Sequence, residues 1–140
     1  MKILIIRFSS IGDIVLTSPI IRCIKNQIIE SEIHFLTKDS FAGLLAHHPY
    51  IQKIHSLKKN DLSAIIESLK TENFDCIIDL HKNIRTFKIK RALHIKSYSF
   101  AKLNIQKWLF VNFKIDLLPE KHIIDRYFEG IQSLGITNDQ

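Results

Sequence analysis

The sequence has few residues that interrupt regular structure or cross-link a chain: four glycines, three prolines and two cysteines among 140 residues. The shortage of Gly and Pro argues against long loops and low-complexity linkers. Cys23 and Cys76 lie in apolar runs and form no CxxC pair, which favours buried, reduced thiols over a zinc or redox site. The seven histidines match no metal-binding spacing, so we expect no metal site.

Long apolar runs are missing as well. The run at residues 3–6 is too short for the core of a signal peptide, and Arg7 ends it. No stretch approaches the roughly 20 apolar residues that a membrane-spanning helix needs. The sequence therefore predicts a soluble, cytoplasmic protein.

The charge of the chain is unevenly distributed. Hydrophobic residues make up 46% of the sequence, enough for the core of one domain, and the net charge is +6. Residues 1–81 contain nine basic and nine acidic residues, whereas residues 82–126 contain eleven basic and three acidic ones. This basic segment indicates an anionic partner, and the charge alone leaves its kind open: a lipid phosphate, a sugar acid, a nucleic acid or a membrane surface.

Short apolar segments alternate with longer helical patterns along the chain. The patterns predict strands at residues 2–8, 32–37, 51–57, 74–80 and 96–100, and helices at 14–24, 41–46, 61–70, 83–94, 103–113 and 122–134. This order is typical of an α/β fold, a Rossmann-like parallel sheet with helices on both faces and the first strand near its centre. Ligands bind such sheets at the carboxyl ends of the strands, so the loops after Phe8 and Leu80 are predicted to share the binding edge.

The first of these loops, Ser9-Ser10-Ile11-Gly12-Asp13, is predicted to be a tight turn before a helix. It does not match GxGxxG, and the charge of Asp13 would repel a dinucleotide phosphate. Asp13 has two interpretations, as a carboxylate with a chemical task or as a cap of the following helix. Further on, Pro19 predicts either a kink or a new helix capped by Ser18.

Three segments together resemble glycosyltransferase family 9, the lipopolysaccharide heptosyltransferases. Residues 2–19 are similar to the family's opening strand and its Arg-Phe/Leu-Ser-Ser-x-Gly-Asp motif. Residues 79–86 resemble the loop after the family's fourth strand, although Lys82 stands where a Gly is common, and residues 122–127 resemble its His-x-x-x-Arg segment. The resemblance covers nearly the whole chain but only the first half of a family member.

The resemblance implies a GT-B glycosyltransferase, built from two Rossmann-like domains. Residues 1–140 would form the single N-terminal, acceptor-binding domain, and the C-terminal domain that binds the donor, ADP-heptose, would be absent. The implied reaction is an inverting transfer of heptose to the inner core of lipopolysaccharide, without a cofactor. Asp13 maps onto the family's catalytic base, which accepts the proton of the acceptor hydroxyl. We expect the chain to be inactive alone.

The implied acceptor is the acidic core of lipopolysaccharide, whose carboxylates and phosphates suit bidentate arginine. The family-like segments assign acceptor binding to six residues: Ser9, Ser10, Gly12, Lys82, Arg85 and Arg126. The two arginines are favoured over Lys82 and Lys88, and a solvated helix face is the alternative for each basic residue.

Other functions stay open at this point. A non-catalytic module could bind an anionic glycolipid or a nucleic acid through the basic segment, although the sequence has no nucleic-acid reader motif and we expect no such partner. The aromatic residues around Trp108 predict core packing, contact with the missing domain, or contact with the inner face of the cytoplasmic membrane.

Overall fold

The computed structural model describes residues 1–59, 61–99 and 123–137, with side chains in the last range from residue 127 onward. The segment around Trp108 and the helix predicted at 103–113 lie outside the described residues. The strands are β1 (Lys2–Ile6), β2 (Glu32–Lys38), β3 (Lys53–Leu57), β4 (Cys76–Asp79) and β5 (Lys96–Ser99). The α-helices are α1 (Ile11–Val15), α2 (Ser18–Gln27), α3 (Leu62–Lys70), α4 (Ile84–Leu93) and α5 (Ile123–Ile131), with 3₁₀ helices at Asp39–Leu45 and Gln132–Leu134.

The five strands form one parallel sheet in the order β3-β2-β1-β4-β5. Ile3 is in register with Ile33 on one side of β1 and with Cys76 on the other. Residues 3–6 are apolar and fully buried, as expected for a strand covered on both faces. The predicted central position of the first strand and its parallel pairing with the fourth are confirmed.

Alternate side chains of β1 enter two different cores. Ile3 and Ile5 pack in a core that includes buried residues of α1, α2 and α5. Leu4 and Ile6 pack on the opposite face of the sheet, in a core completed by α3 and α4. Helices therefore cover both faces, and the predicted Rossmann-like α/β fold is confirmed.

The tight turn predicted at residues 9–13 is wrong. The helix α1 already begins at Ile11, with Ser10 as its N-cap, so Asp13 lies in the first helical turn. The physical reason is a capping interaction between Ser10 and Asp13, which allows a helix to start with only four residues between it and β1. The short helix predicted at 41–46 is also displaced, because a 3₁₀ helix occupies Asp39–Leu45.

The chain around Pro19 follows neither predicted alternative in full. α1 ends at Val15, and a separate helix α2 begins at Ser18 with Thr17 as its N-cap. Pro19 lies in the first turn of α2, where a backbone N–H has no partner within the helix and its loss is tolerated. A new helix at the proline was thus a correct prediction, but its cap lies one residue earlier than expected.

Two further expectations concern the cysteines and the membrane. Cys23 and Cys76 are buried, as predicted. Burial raises the pKa of the Cys76 thiol to about 11, so this thiol is protonated and poorly nucleophilic at neutral pH. Among the described residues, no helix has both the length and the apolar character needed to cross a bilayer.

Candidate functional site

Arg7, Ser10 and Asp13 form a hydrogen-bonded group where β1 ends and α1 begins. Arg7 Nη2 lies 2.9 Å from Asp13 Oδ2. Ser10 Oγ donates to the same oxygen at 2.9 Å, and the Ser10 backbone N–H donates to it at 3.4 Å. Because all three donors contact Oδ2, Asp13 Oδ1 has no hydrogen bond within the described part of the chain. The carboxylate is therefore fixed by one oxygen and free at the other.

The side chain of Asp13 is 34% exposed. Partial burial raises its pKa, but the hydrogen bonds from Ser10 and the charge of Arg7 together outweigh burial, so the pKa lies below its usual value. The carboxylate is consequently ionised at neutral pH. Both interpretations of Asp13 fit this geometry, because it accepts the N-cap N–H of α1 and also presents a free oxygen.

Arg7 joins the loops that follow β1 and β4. Its Nη1 donates to the carbonyl oxygen of Leu80 at 2.6 Å. The side chain is only 13% exposed, and its Nε is buried with no hydrogen-bond partner among the residues that the structure describes. The contacts of its two terminal nitrogens with Asp13 and Leu80 offset the cost of burying this charge, so losing them should destabilise the fold.

The loop after β4 is organised by Asp79, which is fully buried. Asp79 Oδ1 accepts hydrogen bonds from the backbone N–H groups of His81 at 3.0 Å and Lys82 at 2.7 Å, and Lys90 Nζ lies 2.9 Å from Oδ2. Lys82 has a backbone φ of +57°, in the left-handed region that favours glycine. This backbone conformation explains why the resembling family commonly has a Gly where this chain has Lys82. The side chain of Lys82 is exposed.

Arg85 lies in the first turn of α4, and a reciprocal cap fixes the start of that helix. Asn83 Oδ1 accepts the Thr86 N–H at 3.0 Å, while Thr86 Oγ1 accepts the Asn83 N–H at 2.9 Å. The Arg85 guanidinium carbon lies 4.7 Å from the centre of the Phe8 ring, next to Arg7 in the chain. The prediction that the two loops share one edge of the sheet is confirmed by these contacts.

A cleft of about 890 Å³ opens at the same edge, within the usual size range of ligand pockets. Its walls come from the carboxyl ends of β2 and β3, the start of α3 and the first turn of α4: Lys38, Asp39, Ser40, Leu57, Lys58, Lys59, Asp61, Leu62 and Arg85. Four basic and two acidic residues line it, so the cleft has an excess of positive charge suited to an anionic ligand.

Of the predicted site residues that the structure describes, Arg85 alone is among those lining the cleft. Ser9 is half-buried and Ser10 and Gly12 are exposed, all three beside Asp13. A Cβ at Gly12 would meet no atom within 4 Å, so packing does not require a glycine there. Lys88 is exposed on α4 and is not among the residues that line the cleft. Arg126 belongs to α5, but its side chain lies outside the described residues.

Four basic residues of this edge were missed by the sequence prediction. Arg7 was interpreted only as the end of an apolar run, although it opens the family-like motif. The cleft also contains Lys38, Lys58 and Lys59, which directly follow or end strands β2 and β3. The rule that ligands bind at the carboxyl ends of parallel strands would have selected all of them.

Comparison with known proteins points to the same family as the motifs at this site. No protein-family model matches the chain. The lipopolysaccharide heptosyltransferase 1 of Campylobacter coli is 29% identical to it, over 99% of this chain and 41% of that protein. The chain resembles the lipopolysaccharide heptosyltransferases.

Solved structures support the fold. The Escherichia coli heptosyltransferase WaaC with ADP-2-deoxy-2-fluoro heptose matches with a TM-score of 0.79 and 21% identity, over 100% of this chain and 50% of that one. A glycosyl transferase of family 9 from Veillonella parvula matches with a TM-score of 0.77 and 18% identity, over 99% of this chain and 43% of that one. The chain thus spans half or less of the length of these relatives.

Proposed function

We propose that this chain is the acceptor-binding part of an inverting glycosyltransferase that transfers heptose from ADP-heptose to the inner core of lipopolysaccharide. The observation that carries the proposal is the Asp13 carboxylate, whose Oδ2 is held by Arg7 and Ser10 while Oδ1 accepts no hydrogen bond from the described part of the chain. It lies at the edge where parallel sheets bind their ligands. Similarity to a heptosyltransferase over 99% of the chain supports the same assignment.

In this proposal Asp13 is the catalytic base. The oxygen of the acceptor hydroxyl forms a bond to the anomeric carbon of heptose, while the bond from that carbon to ADP breaks and its electron pair leaves with ADP. Asp13 Oδ1 takes the hydroxyl proton. The lowered pKa keeps Asp13 ionised but makes it a weak base, so the proton moves late, after positive charge has developed on the sugar.

Arg7 is a positioning residue in this scheme, because it acts on the substrate only through Asp13. Its guanidinium and the Ser10 hydroxyl together fix Oδ2, which leaves Oδ1 with one orientation. Fixing a base before the substrate arrives avoids reorganisation during the reaction.

The basic cleft supplies the site for the acidic groups of the acceptor. Arg85 both lines this cleft and contacts Phe8, so it connects the cleft to the loop that contains Asp13. Carboxylates and phosphates accept paired hydrogen bonds from a guanidinium, and the lysines of the cleft add charge without that geometric demand. Ser9, Ser10 and Gly12 complete the proposed acceptor site beside Asp13, with Gly12 leaving backbone open to close approach.

The donor belongs to a second domain in this proposal, outside these 140 residues. Transfer requires both substrates in reacting geometry, and loss of that positioning removes about 7–11 kcal/mol of assistance. The isolated chain should therefore bind the acceptor without transferring sugar to it. The proposed location is the cytoplasm, with the acceptor lipid presented at the inner face of the cytoplasmic membrane.

The test is calorimetric titration of the purified chain with the lipid A–keto-deoxy-octulosonate acceptor in detergent. We expect binding that weakens with added salt and with enzymatic removal of the acceptor phosphates. A neutral glycolipid in the same detergent is the control. Equal affinity for the neutral and the anionic lipid would contradict the assignment of the cleft.

A non-catalytic module that holds an anionic glycolipid is the second candidate, because the cleft alone would suffice for it. Transfer in a two-domain context separates the two candidates. Only the enzyme requires the free Oδ1 of Asp13, whereas both require the cleft.

A further inference from the structure

A second polar cluster lies at the amino end of the sheet, opposite the edge that contains Asp13. His34 of β2 and His55 of β3 are buried there, with 2% and 4% of their surface exposed. His34 Nδ1 lies 3.0 Å from His55 Nε2. Glu72, from the connection between α3 and β4, is close enough that one ligand atom of each residue lies within 4.8 Å of the others.

We propose that His34, His55 and Glu72 bind a zinc ion. Two imidazole nitrogens and one carboxylate oxygen form a donor set that zinc accepts, with water as a fourth ligand. In a tetrahedral site with bonds of about 2.0–2.1 Å, adjacent ligand atoms are about 3.3 Å apart. To enclose the ion, the two nitrogens need a small separation from their observed 3.0 Å and a turn of each ring that points both lone pairs at the ion, and the Glu72 side chain needs a rotation.

Glu32 gives His34 the tautomer that metal binding needs. Its Oε1 lies 2.8 Å from His34 Nε2, so Nε2 carries the hydrogen and Nδ1 keeps its lone pair. A carboxylate behind a metal-binding imidazole is the usual arrangement of outer ligands in zinc sites. Without metal, His55 Nε2 donates to this lone pair; with metal, the His55 proton moves to Nδ1 and both facing nitrogens become ligands.

The neutral imidazole is the form that binds metal, and both histidines are buried beside an aromatic ring. Phe74 covers both imidazoles edge-on, with ring centres 5.1 Å from His34 and 6.1 Å from His55. Apolar cover of this kind limits access of water to a metal.

Two lysines form salt bridges with the carboxylate of Glu72. Lys2 Nζ lies 2.8 Å from Oε2 and Lys53 Nζ lies 2.7 Å from Oε1. Their charges oppose a cation, but the Lys53 side chain is 54% exposed and can turn into solvent when the ion enters. Removing the Lys53 charge should therefore increase the affinity for zinc. A purely structural role of the cluster does not predict an increase.

The expected consequence is a link between three segments. The ion would join β2, β3 and the α3–β4 connection, which are distant in sequence. The sequence predicted no metal site because His34, His55 and Glu72 have no motif spacing and meet only through the order of the strands.

The test uses the purified 140-residue chain, freed of metal by a chelator and titrated with zinc chloride alone. We expect one zinc per chain and a higher Tm in its presence. Glu72→Gln and His55→Gln should each weaken binding at least tenfold, and Lys53→Gln should strengthen it severalfold. Glu72 is partly exposed, so its variant should fold even if substitution at His55 disrupts the core.

Matched controls and a second readout complete the experiment. Glu67→Gln and His47→Gln change an exposed carboxylate and an exposed imidazole outside the cluster and should leave zinc affinity unchanged. Cobalt(II) bound to the chain should show the strong visible absorption of tetrahedral coordination, and Glu72→Gln should abolish it. Absence of zinc binding by the folded chain, or equal affinity in Glu72→Gln and the unmodified chain, would overturn the proposal.

Discussion

Arg7 places one terminal nitrogen 2.9 Å from Asp13 Oδ2 and the other 2.6 Å from the carbonyl oxygen of Leu80. A single buried guanidinium thus connects the loop after the first strand to the loop after the fourth. The orientation of the proposed base consequently depends on a residue that also fixes the second loop.

This relationship predicts the effect of Arg7→Gln. The pKa of Asp13 should rise towards its usual value, since the charge that lowers it is gone. The free energy of unfolding should fall by about 1.5–3 kcal/mol for the lost charged hydrogen bond to Leu80. Carboxyl NMR titration and thermal denaturation measure the two effects. Arg7→Lys keeps the charge and should raise the pKa less; an unchanged pKa in Arg7→Gln would refute the coupling.

The basic cleft predicts a difference between two residues of the same helix. Arg85→Ala should weaken acceptor binding by about 1.5–3 kcal/mol for each charged hydrogen bond that is lost. Lys88→Ala removes an exposed charge outside the cleft and should change affinity by much less. Calorimetry with the anionic acceptor measures both. Equal losses would mean that general charge, rather than the cleft, binds the lipid.

Substitution of Gly12 should change stability and acceptor binding in opposite directions. Gly12→Ala should raise the free energy of unfolding by about 0.5–1 kcal/mol, because Ala loses less entropy in a helix and meets no neighbouring atom. Acceptor binding should nevertheless weaken if the open backbone at Gly12 contacts the acceptor. Chemical denaturation and calorimetry on the same samples decide the point, and unchanged affinity would remove Gly12 from the proposed site.

The His34–His55 pair predicts a loss of stability in acid. The pKa of His55 is lowered from 6.5 to about 4 in the folded chain, so the unfolded chain binds more protons between these values. Neutral, buried His55 costs the fold nothing above pH 6.5. As the pH falls from 6.5 to 4, the free energy of unfolding should decrease by about 1–3 kcal/mol. His34, Lys2, Lys53 and Glu72 face this group. Denaturation with a chelator present should show the slope, and His55→Gln should flatten it.

The fold was predictable because its signals are local. The apolar run at residues 3–6 fixes a strand buried on both faces, and such a strand belongs at the centre of a parallel sheet. The helix α1 was not predictable in this way, since its early start depends on the contact between Ser10 and Asp13. Helix propensity alone does not predict a helix start that depends on hydrogen bonds from a side chain of the same helix.

The candidate site was predictable only in part. Asp13 and Arg85 were selected by the family-like segments, and the structure places both at one edge of the sheet. Lys38, Lys58 and Lys59 were missed because acidic residues elsewhere in 1–81 balance their charge in sequence but not at the cleft. The left-handed backbone of Lys82 likewise depends on the buried Asp79, which no sequence spacing reveals.

The most direct test of the central claim is transfer by Asp13→Asn in a larger enzyme, made by joining this chain to the part of the Campylobacter coli relative that it does not cover. The amide oxygen of Asn can still accept the hydrogen bonds from Ser10 at the start of α1, so circular dichroism and acceptor affinity should be nearly unchanged. Asp75→Asn, at the opposite end of the sheet, is the matched control. The account predicts that transfer from ADP-heptose falls by about 10²–10⁴ in Asp13→Asn alone. A folded Asp13→Asn enzyme that transfers at the unmodified rate would show that Asp13 only caps the helix.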